Sequence, residues 1–225
     1  MLIADNLTNI KNKIAEYEKK YARIAGSVKL LVASKAQSIE KINAAYTAGQ
    51  RLFGENYLQE ALVKMDALTE KDIIWYFIGQ IQRNKTRKIA ERFNWVLSVA
   101  DDVIAKRLND QRPSSLPPLN ICIQVNISDE VSKSGIKEND VFKLAALCQQ
   151  LPQIKLRGLM AIPAPTNNFR NAKQAHHELF LLWKKLRNQY EDIDTLSMGM
   201  SDDFEAAIAE GTTLIRIGTA IFGDR

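Results

Sequence analysis

The sequence predicts an α/β fold: a single (β/α)8 TIM barrel over residues 1–225, with an extra helix ahead of the first strand. Three observations lead there. Eight short apolar runs alternate with segments whose apolar residues recur every three or four positions. Leu30-Leu31-Val32-Ala33 runs without a polar break, as strands do when a parallel sheet buries both their faces. The length, 225 residues, lies in the range of one such barrel. A doubly wound open sheet uses the same alternation, but the strand count favours the barrel.

Residues 2–24 read as the leading helix. Leu7, Ile10, Ile14, Tyr17, Tyr21 and Ile24 form one stripe, lysines fill the other face, and Gly26 stops it. A strand over 29–34 is followed by a helix at about 38–48, with Ser38 at its start and Gly49 past its end. Arg51 to Gly54 is a second strand and Glu55 to Leu68 a second helix. Ile73 to Ile78, β-branched and aromatic, is a third strand, with a helix over 82–93. Trp95 to Val99 is the fourth, followed by a helix over 101–110 and a proline-rich link over 112–118. Leu119 to Ile127 is the fifth strand, with a helix over 139–151, and Lys155 to Ile162 is the sixth, closed by Pro163 and Pro165. A long helix over 168–190 carries Ala172, Ala175, Leu179, Leu182, Trp183, Leu186 and Tyr190 on one face. Thr195 to Met198 is the seventh strand, Ser201 to Glu210 a helix ended by Gly211, and Leu214 to Ile217 the eighth strand. No second domain, internal repeat or low-complexity segment interrupts this order.

Composition narrows the class. Hydrophobic residues make up 46% and charged residues 25%, as in ordinary globular proteins. No apolar run reaches transmembrane length, so no membrane partner is expected. Met1-Leu2-Ile3-Ala4-Asp5 lacks the basic region of a signal peptide. Two cysteines, Cys122 and Cys148, make no disulfide framework, which fits a reducing cytoplasm. The net charge of +5 suits an anionic small ligand or plain solubility. The densest basic cluster, Arg83, Lys85, Arg87 and Lys88, reads as a solvated helix face, and no nucleic-acid partner is expected. His176 and His177 adjoin without clustered Cys or acidic ligands, so no metal site is read.

In a barrel, ligands gather at the C-terminal ends of the strands. That rim collects Ser34 and Lys35, then Gly54 to Tyr57, Gly79 to Lys85, and Ser132 to Gly135. It also collects Met160, Pro163 and Pro165, then Met198 to Ser201, and Gly218 with Thr219. A lysine partly removed from water at such a place has a lowered pKa, and its amine can form a Schiff base with a carbonyl. Taken by its own stretch, Lys35 reads first as a lysine that caps its strand and reaches solvent, as most lysines do. Barrels often bind phosphate between the loops after strands seven and eight. There Ser201 opens a helix, Gly218 permits close backbone approach and Thr219 adds a hydroxyl. The same residues also serve as plain turn chemistry, and Asp202 and Asp203 would repel an anion unless their carboxylates point away. A Schiff-base lysine opposite a phosphate cup fits an aldehyde carrying a phosphate, of which pyridoxal 5′-phosphate (PLP) is the common example. Arg216 lies on the eighth strand, where an arginine is costly unless paired. Beside a PLP ring it would donate to the pyridine nitrogen; a neighbouring carboxylate would serve it as well.

The chain resembles the pyridoxal phosphate homeostasis protein family. The matching pieces are Val32 to Lys35, Gly54 to Glu60, Phe77 to Gly79 with Gln82, Asn84 and Lys85, and Ser132 to Gly135. Gly158 to Ile162, Leu196 to Phe204, and Ile215 to Gly223 complete them, in order along nearly the whole chain. The resemblance implies a barrel like the N-terminal domain of alanine racemase, with PLP on Lys35. It implies phosphate contacts from Ser201, Gly218 and Thr219, Arg216 at the ring nitrogen, and Asn56 close to the cofactor. Met160, on the same rim, joins these as a candidate PLP-binding residue. The family is associated with intracellular balance of PLP and has no settled enzymatic reaction. PLP-dependent apo-enzymes are the partners this implies, with the chain itself expected to be a monomer. Two departures stand out: Tyr76 where the family usually has His, and Leu97-Ser98-Val99-Ala100 where it usually has His-Ser-Val-Asp.

A PLP-dependent amino-acid racemase is the alternative. Racemisation needs a base on each face of the substrate α-carbon. Alanine racemases take the second from a partner subunit, in an assembly that depends on a C-terminal β domain absent from this sequence. An arginine at the ring nitrogen would also leave the ring unprotonated and a poorer electron sink. A binding module with no cofactor is the third possibility, separable by near-visible absorbance.

Overall fold

A computed structural model describes residues 2–69, 71–127, 134–166 and 168–223. Eight parallel strands close into a barrel in sequence order: β1 (Lys29–Ala33), β2 (Leu52–Glu55), β3 (Ile74–Phe77), β4 (Trp95–Val99), β5 (Leu119–Gln124), β6 (Ile154–Met160), β7 (Thr195–Ser197) and β8 (Leu214–Ile217). β8 returns to β1, with Leu31 opposite Arg216 and Val32 opposite Ile217. Helices connect successive strands: α2 (Ile39–Thr47), α3 (Leu58–Ala67), α4 (Thr86–Arg92), α5 (Asp102–Gln111), α6 (Val141–Cys148), α7 (Phe169–Arg187) and α8 (Phe204–Ala209). α1 (Ile3–Lys20) precedes the barrel and α9 (Thr219–Phe222) follows it. The expected barrel with its leading helix is thus the observed one.

Local chemistry sets several helix starts. The Ser38 side chain accepts from Lys41 N, Asp101 from Ile104 N at 2.7 Å, and Asn168 from Arg170 N and Asn171 N. α1 ends at Lys20, short of the expected stop, because Ala22 turns into the left-handed region at φ 52°. Ile24, expected on the apolar stripe, is exposed as a result. Buried Glu18 ties the turn down by accepting from Gly26 N and Val28 N. Glu55 belongs to β2 rather than to the helix after it, and α3 starts only at Leu58. The segment over 82–93 opens with a 3-10 turn, Arg83–Lys85, before α4. Of the basic cluster, Arg83, Arg87 and Lys88 are exposed and Lys85 is half-buried.

The period of two along each strand separates two cores. Leu31, Tyr76, Leu97, Cys122, Met160 and Leu214 fill the barrel interior. Leu30, Val32, Phe53, Ile123, Leu159, Ile215 and Ile217 face the helices, in the larger cluster. Inward positions at the C-terminal ends of the strands therefore stack above the interior cluster and form the floor and walls of a cavity.

Candidate functional site

The cavity holds about 600 Å³, within the range of a small-molecule pocket. The two-residue alternation supplies its walls in pairs: Ala33 and Lys35 from β1 and its loop, Met160 and Ile162 around the end of β6, Arg216 and Gly218 around the end of β8. Asn56 enters from β2, Ile78 from β3, and Met200, Ser201 and Asp202 from the loop after β7. Thr219, first residue of α9, completes the side next to β8. All seven candidate residues from the sequence thus line one cavity: Lys35, Asn56, Met160, Ser201, Arg216, Gly218 and Thr219.

Arg216 is the charged group most deeply set in this wall. It is 5% exposed and donates to Ser197 Oγ at 2.6 Å and to Ala161 O at 2.9 Å. Burial pushes its guanidinium down to about 10, against the opposing influence of Asp203 and Cys122. It therefore keeps its charge at neutral pH.

The loop between β7 and α8 differs from the expectation in one respect. Ser201 does not open the helix; α8 begins at Phe204, and Ser201 sits in the turn before it, half-buried against the cavity. Asp203 organises that turn instead. Its Oδ1 accepts from Met200 N at 2.6 Å, while Oδ2 meets Nε2 of fully buried His176 on α7 at 3.0 Å. Burial alone would raise the Asp203 carboxyl. The bonds to His176 and Met200, with the Arg216 charge, outweigh it and hold the group below its ordinary range. Its carboxylate is thereby committed to Met200 and His176 and does not line the cavity, whereas Asp202 is exposed at the cavity edge. Gly218 lies so close to β1 that an added Cβ would meet Ala33 O at 2.9 Å.

Asn56 stands where this cavity meets a second of about 340 Å³, lined by Tyr57, Gln59, Gly79, Gln82 and Lys85 among others. Its Oδ1 is buried and has no partner among the described residues. Such an orphaned acceptor costs about 1–3 kcal/mol until a donor arrives. Gly79 makes the position of Asn56 sterically accessible, because a Cβ there would meet Asn56 O at 2.1 Å.

Sequence reasoning missed the charged residues behind Lys35. Glu55 is fully buried at the end of β2, paired with buried Lys64 of α3 at 2.8 Å, and Lys64 also contacts Glu60. Burial raises the Glu55 carboxyl, opposed by hydrogen bonds from Lys64 and Ser34. The Glu60/Lys64 spacing of four on a helix was the available signal. Assigning Glu55 to the helix hid its connection to them.

Of the family departures, Tyr76 is buried in the barrel interior, stacked on Trp95 with ring centroids 5.2 Å apart, and Leu97 belongs to the same cluster. Burial drives the Tyr76 phenol well above its ordinary range. Ala100 follows β4. Ser132 and Lys133 of the expected rim lie outside the described residues. Ser134 accepts through its backbone carbonyl from Gln124 Nε2 at 3.0 Å.

The alanine racemase N-terminal domain family matches residues 3–225. The pyridoxal phosphate homeostasis protein of Vibrio alginolyticus is 49% identical over 227 residues, covering 99% of this chain and 97% of that protein. Its namesake in Pseudomonas aeruginosa is 50% identical over 224 residues, covering 99% and 96%. PipY of Synechococcus elongatus, solved with PLP bound, superposes with a TM-score of 0.85 at 33% identity, covering 98% of this chain and 100% of PipY. Alanine racemase of Corynebacterium glutamicum shares the fold, with a TM-score of 0.72 at 14% identity over 99% of this chain and 60% of its own. With near-complete coverage at about half identity, the chain belongs to the pyridoxal phosphate homeostasis protein family, whose barrel is the alanine racemase N-terminal domain.

Proposed function

We propose that this protein binds PLP in the cavity at the C-terminal end of the barrel and serves its homeostasis, holding PLP as a Schiff base on Lys35. One observation carries the reading: the cavity combines a lysine, a buried donor arginine and a hydroxyl-bearing loop pair on separate walls. Those are the partners that an aldehyde, a pyridine nitrogen and a phosphate require. The residues fit the group. Asn56 offers a buried amide oxygen with no partner among the described residues, and Arg216 can only donate.

In this reading Lys35 Nζ bonds to the aldehyde carbon, and the aldehyde oxygen leaves as water. Ser201, Thr219 and the Gly218 amide hold the phosphate, Arg216 donates to the ring nitrogen, and Met160 and Asn56 bound the ring. PLP itself supplies an electrophilic carbon and an aromatic ring that can accept electrons. Residues 1–225 act as one PLP-binding domain, as a monomer in the cytoplasm that passes PLP to apo-enzymes. Cys122 and Cys148 are free and buried, and no described helix is long and apolar enough to cross a membrane.

We infer a carrier role without appreciable racemase or transaminase turnover. Arg216, charged at neutral pH, keeps the ring nitrogen unprotonated, and Tyr76 is packed in the interior rather than presented as a base. Borohydride reduction of the PLP-loaded protein and peptide mapping should mark Lys35; a label confined to another lysine, such as Lys133, would sink the assignment. Incubation with L-alanine in deuterated water tests the carrier role. Lys35-dependent α-proton exchange at about 1 s⁻¹ or faster, the ordinary enzyme range, would promote the racemase reading.

A further inference from the structure

The backbone on either side of Lys35 is tied to a charged cluster outside the cavity. On the N-terminal side, Ser34 O accepts from Lys64 Nζ at 2.7 Å, and Ser34 Oγ donates to Glu55 Oε1 at 2.6 Å. On the C-terminal side, Ala36 N donates to Glu60 Oε1 at 2.6 Å. Lys64 joins the two sides, reaching Glu55 at 2.8 Å and contacting Glu60. None of Glu55, Glu60 and Lys64 lines the cavity.

Two features argue that this cluster serves more than packing. Glu55 and Lys64 are 0% and 3% exposed. A buried ion pair is often no more stabilising than apolar residues of the same volume, so stability alone does not account for it. Ala36, directly after Lys35, has φ 58°, the left-handed region that non-glycine residues avoid. Such a conformation persists where its surroundings over-determine it. Here Gln37 N closes the turn on Ser34 O at 3.1 Å, and the bond from Ala36 N to Glu60 braces its left-handed corner.

We propose that Glu60, backed by Lys64 and Glu55, is a positioning residue that holds the Ser34–Ala36 segment so that the Lys35 amine meets the aldehyde of PLP. The proposal rests on the assignment of PLP to Lys35. It predicts a selective loss: bonding to the aldehyde suffers, while recognition of the phosphate and ring does not.

The test compares two ligands on the full-length protein. PLP carries the aldehyde; pyridoxine 5′-phosphate carries an alcohol in its place and cannot bond to an amine. Glu60→Ala, a good helix former at a partly exposed position of α3, should raise the apparent Kd for PLP about tenfold, the loss of one well-placed hydrogen bond. The Kd for pyridoxine 5′-phosphate should stay within about twofold. Glu60→Gln keeps an acceptor oxygen for Ala36 N and should restore PLP binding towards the wild-type value. Equal weakening of both ligands by Glu60→Ala, or unchanged PLP binding, would overturn the positioning role, as would failure of Glu60→Gln to rescue. Borohydride labelling of the wild type separates the two levels. A wild type with no label on Lys35 defeats the PLP assignment and this inference with it. A labelled wild type with an indifferent Glu60→Ala defeats the inference alone.

Discussion

Replacing Arg216 by methionine isolates what the buried guanidinium contributes. In the protein without ligand, two opposing effects meet at this position. The Arg216 bonds to Ser197 Oγ and Ala161 O are charge-assisted and contribute roughly 1.5–3 kcal/mol each. Against them stands the cost of burying the charge. The fall of its pKa from 12.5 to about 10 corresponds to roughly 3 kcal/mol disfavouring the charged form. Methionine loses the first, relieves the second and leaves the buried Ser197 Oγ and Ala161 O without this donor, so Arg216→Met should destabilise the fold, by about 1–3 kcal/mol or more, measured by urea unfolding.

Ligand binding should respond more sharply. If Arg216 donates to the ring nitrogen, its loss removes one charge-assisted hydrogen bond, worth about 1.5–3 kcal/mol, or roughly 10- to 150-fold in Kd. The phosphate contacts and the bond to Lys35 stay in place, so binding should weaken without vanishing. Absorbance titration with PLP measures it. A Kd within about twofold of wild type, in a protein that unfolds cooperatively, would refute the ring-nitrogen assignment and leave Arg216 a structural brace between β7 and the end of β6.

Other outcomes follow from the same geometry. Pyridoxal, which lacks the phosphate, should bind far more weakly than PLP, because Ser201, Thr219 and the Gly218 amide then lose their charged acceptor; equal affinities in a parallel titration would show the phosphate cup is misplaced. Asp203, held below its ordinary 3.8, contributes stability that is complete above that pH and is lost as pH falls through its folded value. The stability gap between wild type and Asp203→Asn should therefore narrow in acid; a gap constant from pH 6 to pH 3, in urea melts, would contradict the pairing with His176 and Met200. Gly79→Ala should destabilise by about 1–3 kcal/mol or more, since its Cβ would meet Asn56 O at 2.1 Å, and an unchanged melting temperature would mean the two loops separate freely.

The barrel was legible because its signals are local and repeated. A run such as Leu30 to Ala33 announces a strand buried on both faces, and eight strands alternating with helices leave few topologies. The cavity walls were legible for the same reason. Once Lys35, Asn56, Met160 and Arg216 are assigned to C-terminal strand ends, the closed barrel brings them together. What stayed hidden depends on contacts between distant segments. Nothing local in Asp202-Asp203 says which carboxylate turns to His176, 27 residues away. By sequence Glu55 reads as the first residue of the helix that runs to Leu68. Its role emerges only when Lys64 and Ser34 close around it.

The two departures from the family pattern fall on the far side of this division. Tyr76 and Leu97 both lie in the interior cluster, beside Leu31, Cys122 and Leu214, and neither lines the cavity. An imidazole in that layer would need hydrogen-bond partners inside an apolar core. The Tyr76 ring instead stacks on Trp95, whose other contacts include the Arg157 guanidinium at 5.1 Å from its ring. Arg157 in turn pairs with Asp194. Tyr76 and Leu97 thus pack among apolar and aromatic neighbours in the barrel interior, and the walls that face Lys35 and Arg216 are made of other residues. A change confined to that layer should alter stability before it alters ligand affinity.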